Sequence, residues 1–385
     1  MNYAFSKVYF SILPFLCFLI TSCSNAQKNE PKTVEFVSQK TNPFNDLIPT
    51  NKKVYMIGEV HLDQDAPTPE GIEYIIKTTR IEDSIRQYLV EQCGVNHFLL
   101  EIPSSHQYFY NMYLETGDES WIHDQTTQKY LYDRLRNLRK LKEINPEIKI
   151  SCVDIDYPKY TNKVAFALIT LTFYDHYSKL YYPPYYTVEA IPVSADLNIA
   201  ISILKTDTIK ITNITRPFFK SLIVLVVGGN DAAPQLYSTF VNTLKDKKLL
   251  EALRVYYGKD YDPIVNMMTN YIYGYNKDFL SQEMLDDREH VLFEAINTTI
   301  KKYPKDIFCY QGGDIHTSAS PEKNMVRQRL ISGSGIEPFC MHLYPKNFAT
   351  IIEKLYKLPA PLSYDFEGEY SIKKMDGGDL GVKVK

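Results

Sequence analysis

Short solid apolar runs alternate along this chain with longer stretches of helical spacing. "VYMI" (54–57) is an apolar and aromatic run suited to a buried strand, and Gly58 breaks it. A helical pattern from Ile72 to Gln92 follows, with Gly94 placed like a C-cap. "HFLLEI" (97–102) is the second strand. A Leu- and Arg-rich helical stretch, "KYLYDRLRNLRKLKEIN", leads into the third, "IKISCVDI" (148–155). From about 160 to 275 the pattern is helical, with clusters of Pro and Tyr. A long helix then runs through "NKDFLSQEMLDDREHVLFEAINTTIKKY", ahead of strands at "DIFCY" (306–310) and "EPFCMHLY" (337–344). Strands alternating with helices predict an α/β fold. The expected architecture is a mostly parallel β-sheet flanked by helices, with a largely helical insertion in the middle of the chain. Its parts are a first half of the core at 50–156, the insertion or cap at 157–277, a second half at 278–358 and a Gly- and Lys-rich tail at 359–385.

The amino-terminal pattern is of another kind. One early Lys7 precedes an apolar stretch from Val8 to Ile20, too short to span a bilayer comfortably, which reads as the h-region of a signal peptide at 1–22. Ile20-Thr21-Ser22-Cys23 resembles a bacterial lipobox, in which the Cys is lipidated and becomes the new N-terminus. The polar stretch that follows suits a flexible tether over 23–49. The expectation is a chain held to a membrane of the bacterial cell envelope by lipid on Cys23, facing the periplasm or the exterior. The net charge of −3 gives no basic patch and argues against a nucleic-acid partner. The cysteines left after the lipid site are Cys93, Cys152, Cys309 and Cys340. No CxxC occurs, so a zinc ribbon or thioredoxin-type site is unsupported. Cys152 and Cys309 fall inside apolar runs, as buried thiols do.

In open parallel sheets, ligands bind outside the carboxyl ends of the strands. The first expected strand ends in Gly58-Glu59-Val60-His61, the second in Glu101, the third in Asp154 with Asp156 beyond it. The fourth ends in "QGGDIH", which supplies Asp314 and His316 behind Gly312 and Gly313. Each residue has a plain alternative as a cap or turn residue. Together, four strand ends deliver carboxylates or imidazoles to one edge. On the long helix, Met284, Val291, Leu292 and Ala295 lie three, four or seven residues from Arg288 and share its face. A guanidinium on an apolar face needs a carboxylate or an anionic ligand. Glu289 and His290 are expected at the solvated rim. His97, His106, His123, His176 and His342 stand in no motif and are expected to be structural. No GxSxG elbow, GxGxxG or Walker loop is present, which argues against a serine hydrolase and a nucleotide cofactor.

"GEVH", "LLEIP", "CVDID", the "DREHVLFEAI" helix and "YQGGDIH" occur in the order seen in the erythromycin esterase-like proteins. Those are similar in turn to the ChaN-like haem-binding lipoproteins and to the TraB and Tiki proteins. The resemblance covers the two flanks, about 50–156 and 278–345, and not the middle. It implies a hydrolase of an ester or amide bond, with a small-molecule ester or a peptide as substrate. His61 is then the general base that activates water, Glu59 and Glu101 support it, and Arg288 and His316 bind the substrate carbonyl or the developing oxyanion. Asp154 and Asp314 are further substrate-binding candidates. This reading requires no cofactor. One residue separates Glu59 from His61 where the esterases are expected to have two, and "GEVH" and "GDIH" are both Gly-x-x-His. That pattern resembles the ChaN-like and Tiki/TraB branches. They imply two alternatives: a haem- or metal-binding lipoprotein, and a metal-dependent peptidase with a divalent ion on His61, Glu101 and His316.

Overall fold

The computed structural model of the chain describes residues 44–60, 69–122, 129–156, 164, 168, 172, 211–275, 282–317, 325–345, 363–365, 370–374 and 379–384. All five expected strands form: β1 (Val54–Glu59), β2 (His97–Pro103), β3 (Lys149–Asp154), β4 (Phe308–Gly313) and β5 (Phe339–Pro345). The stretch expected as a tail carries three more, β6 (Ser363–Asp365), β7 (Tyr370–Lys374) and β8 (Leu380–Val384). They join one eight-stranded sheet of order β3-β2-β4-β1-β5-β8-β7-β6. From β3 across to β8 every neighbour is parallel. β7 runs antiparallel to both β8 and β6. The Gly and Lys content masked this hairpin, but Leu380, Val382, Val384 and Ile372 are buried in it.

The described helices that flank the sheet are α1 (Pro69–Cys93), α2 (Gln107–Thr116) and α3 (Lys129–Ile144). Between β3 and β4 come α4 (Arg216–Gly228), α5 (Ala233–Lys245), α6 (Lys247–Tyr257), α7 (Tyr261–Tyr275) and the long α8 (Gln282–Lys302). A ninth, α9 (Val326–Ser334), precedes β5. Side chains alternate across a strand, so β1 and β4 feed two separate cores. Val54, Met56, Leu99, Phe308 and Tyr310 pack under Leu292, Phe293 and Ile296 of α8 and Val326 and Leu330 of α9. Tyr55, Ile57, Phe98, Leu100 and Cys309 point the other way, toward Ile81, Ile85 and Leu89 of α1 and Leu135 and Leu138 of α3. The apolar residues of α4 to α7, among them Phe219, Phe240 and Tyr271, belong to that same second core.

Phe44 and Ile48, in the stretch expected as a tether, are buried, and Phe44 packs on Tyr88 and Tyr370. Cys23 and the expected signal peptide lie outside the described residues. Cys93, Cys152, Cys309 and Cys340 are free and buried. The opposite, amino-terminal edge of the sheet is tied by a polar cluster of its own. His97 meets Asp306 at 3.1 Å and Ser151 at 2.8 Å, and Lys149 reaches Asp306 at 2.9 Å. Burial outweighs Asp306 there and holds His97 down at about 4, so its ring is neutral near pH 7.

Candidate active site at the carboxyl edge of the sheet

β4 lies between β2 and β1, so the carboxyl ends of these three strands are neighbours. Glu101, near the end of β2, is the centre of the first cluster. Its carboxylate accepts from Arg288 of α8, from the backbone N–H of Gly313 and, at 3.3 Å, from the hydroxyl of Tyr310. It also faces His316 Nε2 at 3.1 Å. Arg288 grips Asp154 at the end of β3 with two nitrogens, Nε at 2.9 Å and Nη2 at 2.8 Å. Such a forked pair fixes both partners in one plane. The guanidinium on the apolar helical face thus meets two carboxylates. Arg288 is the most open member, with 20% of its side chain exposed against 7% for Glu101 and 3% for His316.

His316 sits on a single 3-10 turn, Asp314–Thr317, immediately after β4. Its second nitrogen, Nδ1, lies against Glu289 of α8. Glu289 is therefore a correction: it was expected at the solvated rim, yet only 5% of it is exposed. Its other oxygen accepts from the N–H of Val326 at 2.9 Å, at the start of α9. Burial alone would drive the proton off His316. The charge of Glu101, its hydrogen bond and Glu289 outweigh burial and raise the imidazole to about 10. His316 is an imidazolium near pH 7, clamped between two carboxylates.

Gly312 shows why the fourth strand ends as it does. A Cβ there would fall on the Glu101 carboxylate and the Tyr310 hydroxyl, so only glycine lets the carboxylate lie over the strand. Gly58 has the same role one strand over. A Cβ on it would come within 2.5 Å of Asp314 Oδ1 and Thr317 Oγ1.

Asp314 itself turns away from Glu101 toward β5. It meets His342 Nδ1 at 2.6 Å and accepts from Thr317 at 3.1 Å. His342 has a partner that no motif announced. Burial opposes its charge, Asp314 outweighs burial, and the ring is raised to about 9. Its far side faces Asp379, just before β8, at 3.8 Å. Arg327 of α9 grips Asp379 with both terminal nitrogens.

Glu59 ends β1 on the other face of the sheet, and both of its oxygens accept from Arg134 Nη2 of α3 at 2.8 Å. Of the residues expected in one pocket, Glu101, Arg288, His316 and Asp154 meet in one network. Asp314 belongs to a second network, and Glu59 to a third. His61 lies outside the described residues. Beyond β3, Asp156 is fully buried and accepts from Ser104 Oγ at 2.7 Å and Ser105 N at 3.2 Å. Burial raises its carboxyl to about 6, against the pull of those bonds. Among the described residues, no group of three or more His, Cys, Asp or Glu side chains stands close enough together to hold a metal ion. Glu101 and His316 are the described members of the candidate metal set, and they face each other.

No family model matches the chain, and no curated protein matches it. Solved structures similar to it include a variant erythromycin esterase in its open conformation, at 12% identity over 90% of this chain and 80% of that one, with a TM-score of 0.42. A succinoglycan biosynthesis protein gives 12% identity, 79% and 70% coverage and a TM-score of 0.41. A Bacillus cereus protein gives 15% identity with the same coverage and a TM-score of 0.40. Likenesses at this level say nothing about activity.

Proposed function

We propose that the chain is a hydrolase of an ester or amide bond, working at the carboxyl edge of β1, β2 and β4, with His61 as the base that activates water. One observation carries the reading. Glu101 is held at a nearly closed strand end by donors from α8, from β4 and from the turn after it. Buried ion pairs add little to stability compared with a well-packed apolar core. A charged cluster kept at the ligand-binding edge of an α/β sheet therefore points to use. His61 follows β1 by two residues, and a neutral imidazole takes a proton from water near pH 7. Water oxygen then bonds to the carbonyl carbon, the C–O or C–N bond breaks, and the leaving group takes up the proton. Arg288, the most exposed cation of the cluster, faces the developing oxyanion. His316 orients Glu101 and does not take the proton from water, because it is already protonated. Lipid on Cys23 holds the enzyme to an envelope membrane, and its substrate is a small-molecule ester or a peptide.

The test is a screen of ester and peptide substrates with and without chelator. On a substrate that is turned over, His61→Ala should lower turnover by about two to four orders of magnitude, the usual worth of acid–base catalysis. Arg288→Lys should also be severe, since an ammonium cannot hold Asp154 through a planar fork. Turnover that survives both His61→Ala and His316→Ala would sink the reading. Loss of activity on chelation would instead favour the metal-dependent peptidase.

A further inference from the structure

The network that contains Glu59 lies on the opposite face of the sheet from Glu101 and extends into a buried charge cluster. Arg86 of α1 is fully buried, and Glu82, one turn before it, is 2% exposed. Arg86 donates to Glu82 at 3.2 Å, to Gln311 of β4 at 2.7 Å, to Asn137 of α3 at 2.9 Å and to Asp83. Gln311 returns a bond to Glu82 at 2.7 Å. Arg134 of α3 reaches Glu82 at 3.4 Å with the same nitrogen that holds both oxygens of Glu59. Two helices and two strands are thus joined through side chains, and the chain of bonds runs out to Glu59.

Two features separate this cluster from a general brace. Glu59 is the member at the strand's carboxyl end, two residues before His61, and it is in register with Gly313. Gly313 in turn donates its N–H to Glu101. The end of β4 is therefore bracketed by two carboxylates, one from each face of the sheet. Each has its own guanidinium, Arg288 for Glu101 and Arg134 for Glu59. A carboxylate at a strand end keeps two free torsions beyond its Cβ. One nitrogen shared between both oxygens removes that freedom only if the nitrogen is itself fixed. Glu82 fixes it, and Arg86 and Gln311 fix Glu82.

We infer that Arg134 and Glu82 are positioning residues for Glu59, holding its carboxylate in one orientation at the strand end, two residues ahead of the proposed base. This rests on the hydrolase reading. Arg134 bears on the reaction through Glu59, whose two oxygens it holds.

The experiment is a double-mutant cycle on the full-length protein, with an ester or amide that the wild type hydrolyses. Glu59→Gln, Arg134→Met and the pair together are compared for kcat and KM. Misplacing a supporting group should lower kcat about ten- to a hundredfold for each single variant, with KM little changed. The double variant should be no slower than Glu59→Gln alone, because the carboxylate that Arg134 positions is already gone. Arg134→Lys keeps the charge without the grip and should fall between wild type and Arg134→Met. If Arg134→Met does not fold, Arg134→Lys takes its place in the cycle. Urea unfolding of all variants separates loss of fold from loss of position. Losses that multiply in the double variant, or an unchanged kcat in Arg134→Met, overturn the positioning role while the hydrolase reading stands. A wild type that hydrolyses nothing in the screen removes the hydrolase reading, and the positioning role with it.

Discussion

Burial and charge compete directly at His342. The ring is fully buried on β5, in register with Gly58, and without Asp314 at 2.6 Å it would be neutral. Asp314, with Asp379 behind it, lifts the ring from its ordinary 6.5 to about 9. A raised folded value means that the folded state holds its proton longer than the unfolded chain does. The stability it contributes is complete below pH 6.5 and is lost as pH rises toward 9. At ~1.4 kcal/mol per unit the contribution is on the order of 3 kcal/mol. Urea midpoints should therefore fall between pH 6.5 and 9, and His342→Gln should flatten that fall. A wild-type midpoint that rises through this window would contradict the assignment. His316, raised to about 10 by Glu101 and Glu289 against burial, acts in the same direction.

At the scale of elements, one buried ion pair ties the approach to β8 to the core. β8 pairs with β5 through backbone bonds from Met341 to Pro345. Just before it, Asp379 is gripped by Arg327 and accepts from the N–H of Cys340 at 3.4 Å. Arg327 is 6% exposed and also reaches the carbonyl of Thr317, the last residue of the turn that carries His316. Removing one partner leaves the other as an uncompensated buried charge, which costs about 3–5 kcal/mol. Asp379→Ala should lower the urea unfolding free energy by that amount. Replacing both, Arg327→Met with Asp379→Leu, should recover most of it, because the buried charge is then gone. A double variant as unstable as Asp379→Ala alone would show that the hairpin, and not the ion pair, was the source of the loss.

For the whole molecule, the proposed lipid anchor is tested at a single residue. Substituting Cys23→Ser should release the protein from membranes or block processing of the signal. Fractionation of cells into membrane and soluble pools reads the outcome. A Cys23→Ser protein that is processed normally and still sediments with membranes would rule out the lipid anchor. One acyl chain binds only marginally, so stable attachment at this position implies more than one chain.

The sequence by itself determined the strand and helix alternation, because solid apolar runs and helical spacing are local properties. It also determined that Glu101, Asp154 and His316 stand at strand ends, and that Arg288 needs a carboxylate or an anionic ligand. The same spacing rule marks four more residues. Glu289 shares a face with Leu292, Phe293 and Ile296, Glu82 with Ile85 and Leu89, Arg86 with Leu89 and Val90, and Arg134 with Leu138 and Leu141, all of them buried. Helical spacing carries that signal for each of them, against the expectation of a solvated rim for Glu289. Which charge pairs with which was not legible. Pairing depends on strand order, and placing β4 between β2 and β1 joins residues more than 180 positions apart, such as Glu101 with Arg288. The face each strand end presents depends on register, so Glu59 and Glu101 reach the same edge from opposite sides. The C-terminal hairpin was hidden because its short strands are stabilised by the edge of β5, which exists only after the sheet has formed.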